Sequence, residues 1–302
     1  MRSGAATGDL AALASEITPS SAAGPSAGGR REIVLRIASA IVMVPLGLWV
    51  VHAGGWPLAI AAGLCAVVAS AEWVRMVLKD EASSIRIGFH ALMAAGALGA
   101  VMAARFGLEY VAVAALGTAA AVSALAWVSR SGVSSMAFGA FYTSLPFGAF
   151  VWIREDHPEG RLFLLALLAI VWATDIAAYF AGRGFGGPLL SPRDSPNKTW
   201  TGAIGAVVCA CLAGVAFSRA AGGDAGHWLA ASLFLSVVAQ AGDLLESRFK
   251  RLYGVKDTSG VLPGHGGVLD RLDALMAAVF VSALIIRFMP VLAPDFDTGG
   301  PG

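Results

Sequence analysis

Apolar residues in this chain fall in long, nearly unbroken runs separated by short polar breaks. Runs close to the ~20 residues that cross a bilayer as a helix recur at 36–53, 56–74, 87–104, 109–128, 133–153, 161–181, 200–219, 227–246 and 269–290. They are too long for barrel strands, and a segment in lipid must satisfy its own backbone groups. The pattern predicts an all-α polytopic membrane protein, a bundle of about nine transmembrane helices. Abundant Gly and Ala within the runs permit close helix contact. The fifth run is the least regular, because Tyr142, Ser144 and Pro146 interrupt it. Residues 1–29 are rich in Ala, Gly, Ser and Pro and read as a disordered tail without the basic start and apolar core of a secretory signal. Residues 294–302 read as a second short tail, which leaves 30–293 as one transmembrane domain.

Composition supports the membrane assignment. Of 302 residues, 57% are hydrophobic and 14% charged, whereas a soluble domain carries about 25% charged residues. Twenty-one Lys and Arg against twenty Asp and Glu leave a formal net charge of +1, too little for a nucleic-acid binder. Cys65, Cys209 and Cys211 lie in apolar runs without paired spacing, so neither a disulfide framework nor a zinc site is expected. The basic residues also orient the chain. With nine spans and the N-terminus cytoplasmic, sixteen of the twenty-one Lys and Arg fall on the cytoplasmic side. The remaining five are Arg105, Arg154, Arg161, Arg219 and Arg287. Positive charge accumulates inside, so the N-terminus is expected in the cytoplasm and the C-terminus outside.

Two breaks carry more polar chemistry than a connector needs, and both fall on that cytoplasmic side. In the later one, Asp243, Glu246, Ser247 and Lys250 lie at i, i+3, i+4 and i+7 and so share a helix face. A carboxylate at the membrane boundary is costly and marks a functional candidate. Arg251, Lys256 and Asp257 follow, then the turn Pro263-Gly264-His265-Gly266-Gly267, then Asp270 and Asp273 at the entry of the last helix. Clustered carboxylates suit Mg²⁺, which commonly takes one or two of them plus substrate phosphates. Basic residues beside a Gly-rich helix entry suit a polyphosphate. The earlier break holds Asp175, Tyr179, Gly182-Arg183-Gly184 and Ser195-Pro196-Asn197-Lys198-Thr199. It follows a membrane span, not a strand, so its glycines are no dinucleotide fingerprint. Glu72, closing the second run, reads as an interfacial residue. His52, His90, His157 and His227 have no ligand spacing.

The run Ser247-Arg248-Phe249-Lys250-Arg251, Lys256-Asp257, Pro263 to Gly267 and Asp270-Arg271-Leu272-Asp273 resembles the signature of the phosphatidate cytidylyltransferases, or CDP-diacylglycerol synthases. The stretch from Asp175 to Gly202 is similar to a second region of that family, although Thr201 and Asn197 depart from its acidic and basic choices. The first five spans resemble the family by hydropathy alone. The resemblance implies an enzyme of phospholipid synthesis that converts CTP and phosphatidate to CDP-diacylglycerol and pyrophosphate with Mg²⁺, and it allows a monovalent cation such as K⁺. It implies Asp243, Asp270 and Asp273 as metal ligands, with Asp243, Lys250 and Asp270 catalytic. Asp175, Ser195, Lys198, Thr199, Ser247, Arg251, Lys256, Asp257, His265 and Arg271 would bind substrate. It further implies a multi-pass plasma (inner) membrane protein with a cytoplasmic site, surrounded by membrane lipids, leaving room for a homodimer. A CTP-dependent lipid kinase would release CDP instead. A cation transporter would place its polar groups near the midplane, not at one membrane face.

Overall fold

A computed structural model of the chain describes residues 41–261 and 266–294. The tail expected at 1–29, nearly all of that at 294–302, and His265 lie outside the described residues. Within them the chain forms nine α-helices. These are α1 (Ile41–Ala53), α2 (Gly55–Val77), α3 (Ser83–Ala103), α4 (Leu108–Ser129), α5 (Val133–Asp156), α6 (Gly160–Phe185), α7 (Trp200–Ala221), α8 (Ala225–Leu252) and α9 (Leu269–Phe288). Seven, α2 to α8, are long and apolar enough to cross a membrane. The described part of α1 is shorter, and α9 carries Asp270, Arg271, Asp273 and Arg287 within its length.

Each helix follows one predicted run, with differences at the ends. Helix α6 continues to Phe185 and α8 to Leu252, because the polar residues that end an apolar run are still good helix formers. Helix α5 passes through Pro146 without a break. Its hydroxyls bond back along the same helix, Thr143 to the Gly139 carbonyl at 2.8 Å and Ser144 to that of Ala140. Side-chain caps start two helices. Thr199 Oγ1 accepts the Gly202 amide at 3.1 Å to open α7, and Asp224 accepts that of His227 at 2.7 Å to open α8.

The bundle has two halves. Helices α2 to α5 pack on one another, as do α6 to α9, and α5 joins them through contacts to α6 and α9. Between α6 and α7 lies an element that hydropathy does not reveal, an antiparallel hairpin of β1 (Leu189–Ser191) and β2 (Ser195–Thr199). Its register pairs Leu189 with Thr199 and Ser191 with Ser195. The α8–α9 crossing depends on Gly242. A Cβ there would come within 2.4 Å of the Ala277 Cβ and 3.0 Å of the Asp273 carbonyl oxygen. The missing side chain lets α9 lie against α8 where Asp243 and Asp273 project.

Candidate active site

The polar residues of the C-terminal half meet where α6, β2, α8 and α9 converge. Asp243, Glu246, Ser247 and Lys250 occupy one continuous helix, as their spacing predicts. Lys198 of the hairpin ion-pairs with Asp243, each about one-third exposed. The Ser247 hydroxyl lies 3.4 Å from the other Asp243 oxygen. Lys250 reaches 2.5 Å from Glu246 and 2.7 Å from Asp270, so a single ammonium links α8 to α9. The Asp270 Oδ2 accepts the Thr258 amide at 2.9 Å, its hydroxyl at 3.0 Å and the Gly267 amide at 2.8 Å. Asp273 is buried, with Oδ1 accepting the Ala274 amide at 2.7 Å.

Asp175 stands on α6 within the electrostatic reach of Asp243, Lys198 and Arg271. It is exposed, and so are its α6 neighbours Ile176, Tyr179 and Phe180. Asp175 therefore sits on an apolar outer surface, Asp243 is partly exposed, and Glu246, Asp270 and Asp273 are largely enclosed. The larger cavity between α6, α8 and α9, about 310 Å³, lies at the opposite end of these helices, lined by Phe163, His227 and Met289.

Other expected residues occupy the periphery or serve the scaffold. Thr199 is the cap of α7 and also meets Thr201 at 3.0 Å. Thr201 in turn donates to the Gly186 carbonyl, so this departure from the family pattern closes the hairpin base. Ser195 begins β2 opposite Ser191. Arg251 Nε lies 3.4 Å from the Asp194 carbonyl, which ties the hairpin tip to the end of α8. Lys256 and Asp257 are exposed in the following loop, and Arg271 is exposed on the first turn of α9.

Two residues gain importance that their sequence positions did not suggest. Glu72 is fully buried, not interfacial. It accepts the Val268 amide at 2.9 Å, the Leu269 amide at 2.8 Å and the Ser259 hydroxyl, with the Thr258 hydroxyl 3.3 Å away. The signal was available, since a carboxylate at the end of an apolar run is a functional candidate by the rule that singled out Asp243. Tyr142, read as a span residue, buries its hydroxyl without a hydrogen-bond partner among the described residues. It lies within reach of the charges of Asp273, Glu246, Asp243 and Asp270.

The donor set fits a hard divalent cation. Asp175, Asp243 and Asp273 act on one another electrostatically, and Glu246 is buried with Oε2 paired to Lys250 and Oε1 without a hydrogen-bond partner among the described residues. Five carboxylates thus share the space with Lys198, Lys250 and Arg271, leaving negative charge in surplus. Among the described residues, no three His, Cys, Asp or Glu side chains gather closely enough to hold a metal by themselves. Mg²⁺ is commonly held by one or two carboxylates and completed by substrate phosphates and water.

Comparison with known proteins agrees with this chemistry. Residues 34–289 match the model of the cytidylyltransferase family. The chain is 38% identical over 265 residues to the phosphatidate cytidylyltransferase of Brucella suis biovar 1 (strain 1330), spanning 86% of this chain and 94% of that protein. It is 46% identical over 154 residues to the phosphatidate cytidylyltransferase of Haemophilus influenzae, spanning 46% and 53%. Against that of Bacillus subtilis (strain 168), it is 39% identical over 146 residues, spanning 48% and 54%.

Proposed function

The chain belongs to the cytidylyltransferase family, and from that premise we propose that it transfers the cytidylyl group of CTP to phosphatidate. The phosphate oxygen of phosphatidate attacks the α-phosphorus of CTP. The bond from that phosphorus to the oxygen bridging the α- and β-phosphates breaks, and pyrophosphate leaves with the bond electrons. CDP-diacylglycerol is the lipid product.

The observation that carries this reading is the meeting of Asp243, Lys198, Lys250, Asp270 and Asp273 at one end of the bundle beside an exposed apolar flank. The nucleophile is already anionic, so catalysis depends less on a general base than on overcoming repulsion between two anions. Lys198 and Lys250 would contact phosphate oxygens, and the exposed Arg251, Lys256 and Arg271 would draw in CTP. Ser247 and Ser195 would add hydroxyl donors, and Asp257 and His265 would complete the substrate contacts. Asp243 and Asp270 would hold Mg²⁺, with Asp273 beside them as a direct or indirect partner, and the ion would supply charge neutralisation at the transferring phosphoryl group. Asp243 retains acceptor capacity, since it meets only Lys198 and Ser247 and a carboxylate offers about four lone-pair sites, whereas Asp270 already meets four donors. A monovalent cation such as K⁺ would suit the remaining negative charge.

The position of the site fits a lipid substrate. Phosphatidate keeps its acyl chains in the bilayer, and Asp175 with Ile176, Tyr179 and Phe180 forms an open flank by which its headgroup can enter. The basic residues around this end support a cytoplasmic site in the plasma (inner) membrane. Residues 30–293 act as one catalytic domain, and a homodimer is compatible with the exposed helix faces. The test is to incubate detergent-purified protein with Mg²⁺, CTP and phosphatidate, with Asp243→Asn as control. Pyrophosphate and a CDP-lipid, both lost in the variant, support the proposal. Release of CDP with a phosphorylated lipid would replace it with kinase chemistry.

A further inference from the structure

We propose that Glu72 is a positioning residue for this reaction, a carboxylate from α2 that holds the entry of α9 and thereby the Asp270 carboxylate. The proposal rests on the cytidylyl-transfer reading and extends the active site into the N-terminal half of the bundle.

The first amides of a helix have no partner inside it, and α9 has no side-chain cap of its own. Val268 and Leu269, the residues at its start, donate their amides to Glu72 at 2.9 and 2.8 Å. Negative charge at a helix N-terminus is favourable. The same carboxylate accepts the Ser259 hydroxyl at 2.5 Å and lies 3.3 Å from the Thr258 hydroxyl. Each Glu72 oxygen therefore meets one amide and one hydroxyl, and the single Thr258 proton can go to only one of Glu72 and Asp270 at a time. A buried carboxylate is expensive unless hydrogen-bonded in this way.

The link to chemistry runs through Thr258. Its hydroxyl lies between Glu72 and Asp270, 3.3 Å from one carboxylate and 3.0 Å from the other, and its amide bonds Asp270 at 2.9 Å. Asp270 is also the residue after Leu269, whose amide Glu72 holds. Asp270 then meets Lys250, which meets Glu246. A continuous polar path thus runs from α2 through the loop and α9 to α8. Its fit is close, because a Cβ on Gly267 would come within 2.0 Å of the Thr258 hydroxyl oxygen and 2.8 Å of a Glu72 oxygen. Catalytic groups need placement to about 0.5 Å, so loosening this latch displaces Asp270 without touching substrate.

The test compares wild-type protein with Glu72→Gln and Glu72→Asp in detergent. Glutamine keeps the shape but turns an N–H donor toward a backbone N–H. Partners one layer behind metal ligands commonly contribute about 10–100-fold. Glu72→Gln is expected to raise the Mg²⁺ concentration for half-maximal activity and lower kcat/KM in that range. The thermal shift produced by CTP with Mg²⁺ should shrink, while Glu72→Asp recovers part of both effects. Unchanged Mg²⁺ dependence and an unchanged ligand-induced shift in Glu72→Gln would overturn the proposal, as would lost heat resistance with unaltered kinetics. Should Glu72→Gln fail to fold, Thr258→Ala combined with Ser259→Ala removes two donors and leaves the carboxylate in place. That pair should weaken Mg²⁺ dependence about threefold to tenfold, and no change would again refute the latch. A wild-type protein that releases no pyrophosphate from CTP would sink the transfer reading instead. The thermal shift with CTP and Mg²⁺ still decides the role of Glu72 in that case.

Discussion

Helices α2 to α5 cross through small and apolar side chains, with Gly96 against Thr118 and Gly148 against Val111, whereas α6 to α9 converge on charged ones. Buried hydroxyls in both halves bond back along their own helices, Ser218 to Val215 and Ser232 to Trp228 among them, but the links between elements differ. In the first half, Ser70, Thr118, Thr143 and Ser144 bond to carbonyls of their own helices. In the second, Thr174 reaches Ser236 on another helix, Lys198 reaches Asp243, and Lys250 spans to Asp270. Polar groups satisfied within one helix tolerate lipid and demand nothing of their neighbours. Those satisfied between elements make the second half a single polar assembly. The first half has such links too, Trp73 Nε1 donating to the Ser135 carbonyl at 3.0 Å and Lys79 to that of Tyr253 at 2.8 Å. Glu72 goes furthest, because its partners all lie across the boundary, in the loop before α9 and at the start of that helix.

The contrast can be broken most sharply at Asp243. Asp243→Asn should lower kcat/KM by at least about 10³-fold, the scale of losing a central electrostatic group, in a pyrophosphate-release assay on folded protein. A residual activity near wild type would remove Asp243 from the site. Lys250→Met comes next. Removing one partner of a buried ion pair costs about 3–5 kcal/mol, and here two carboxylates, Glu246 and Asp270, lose their shared cation. Reduced heat resistance together with at least about 100-fold lower activity is expected, and a variant as stable as wild type would contradict the bridge.

The crossings sharpen the comparison with smaller effects. Gly242→Val should destabilise by about 1–3 kcal/mol through overpacking, and it should also reduce activity because Asp243 and Asp273 move apart. Thermal unfolding and turnover measured on the same sample would check both. Gly117→Ala, in α4 where an added Cβ meets nothing within 4 Å, should leave activity unchanged and stability within about 0.5 kcal/mol. A large loss at Gly117 would mean that the first half is less tolerant than its packing indicates.

How much of this was legible in the chain differs between the halves for a physical reason. Apolar runs of bilayer length mark helices strongly, so all nine elements are visible from hydropathy, including α5 despite Pro146. Helix ends are not, because Gly182 to Phe185 and Ser247 to Leu252 leave the apolar pattern while remaining helical. The β1–β2 hairpin escapes too, since five residues reading Ser-Pro-Asn-Lys-Thr look like a turn until Leu189 pairs with Thr199. On the site face, Asp243 to Lys250 is readable because a period of about 3.6 residues places those residues together. Glu72 is flagged by its place at the end of an apolar run, but its role is not readable, because its partners lie 186 to 197 residues away. Periodicity carries no information over that distance. The same limit hid the pairing of Lys198 with Asp243, which joins two segments whose local patterns are unrelated.

The most direct measurement of the central claim follows the phosphorus atoms. Detergent-purified protein with Mg²⁺ and phosphatidate would be given CTP labelled at the α-phosphate in one reaction and at the γ-phosphate in another. Cytidylyl transfer predicts that the α-label enters the lipid fraction and the γ-label leaves as pyrophosphate. Recovery of the γ-label in lipid, with the α-label in CDP, would contradict the account.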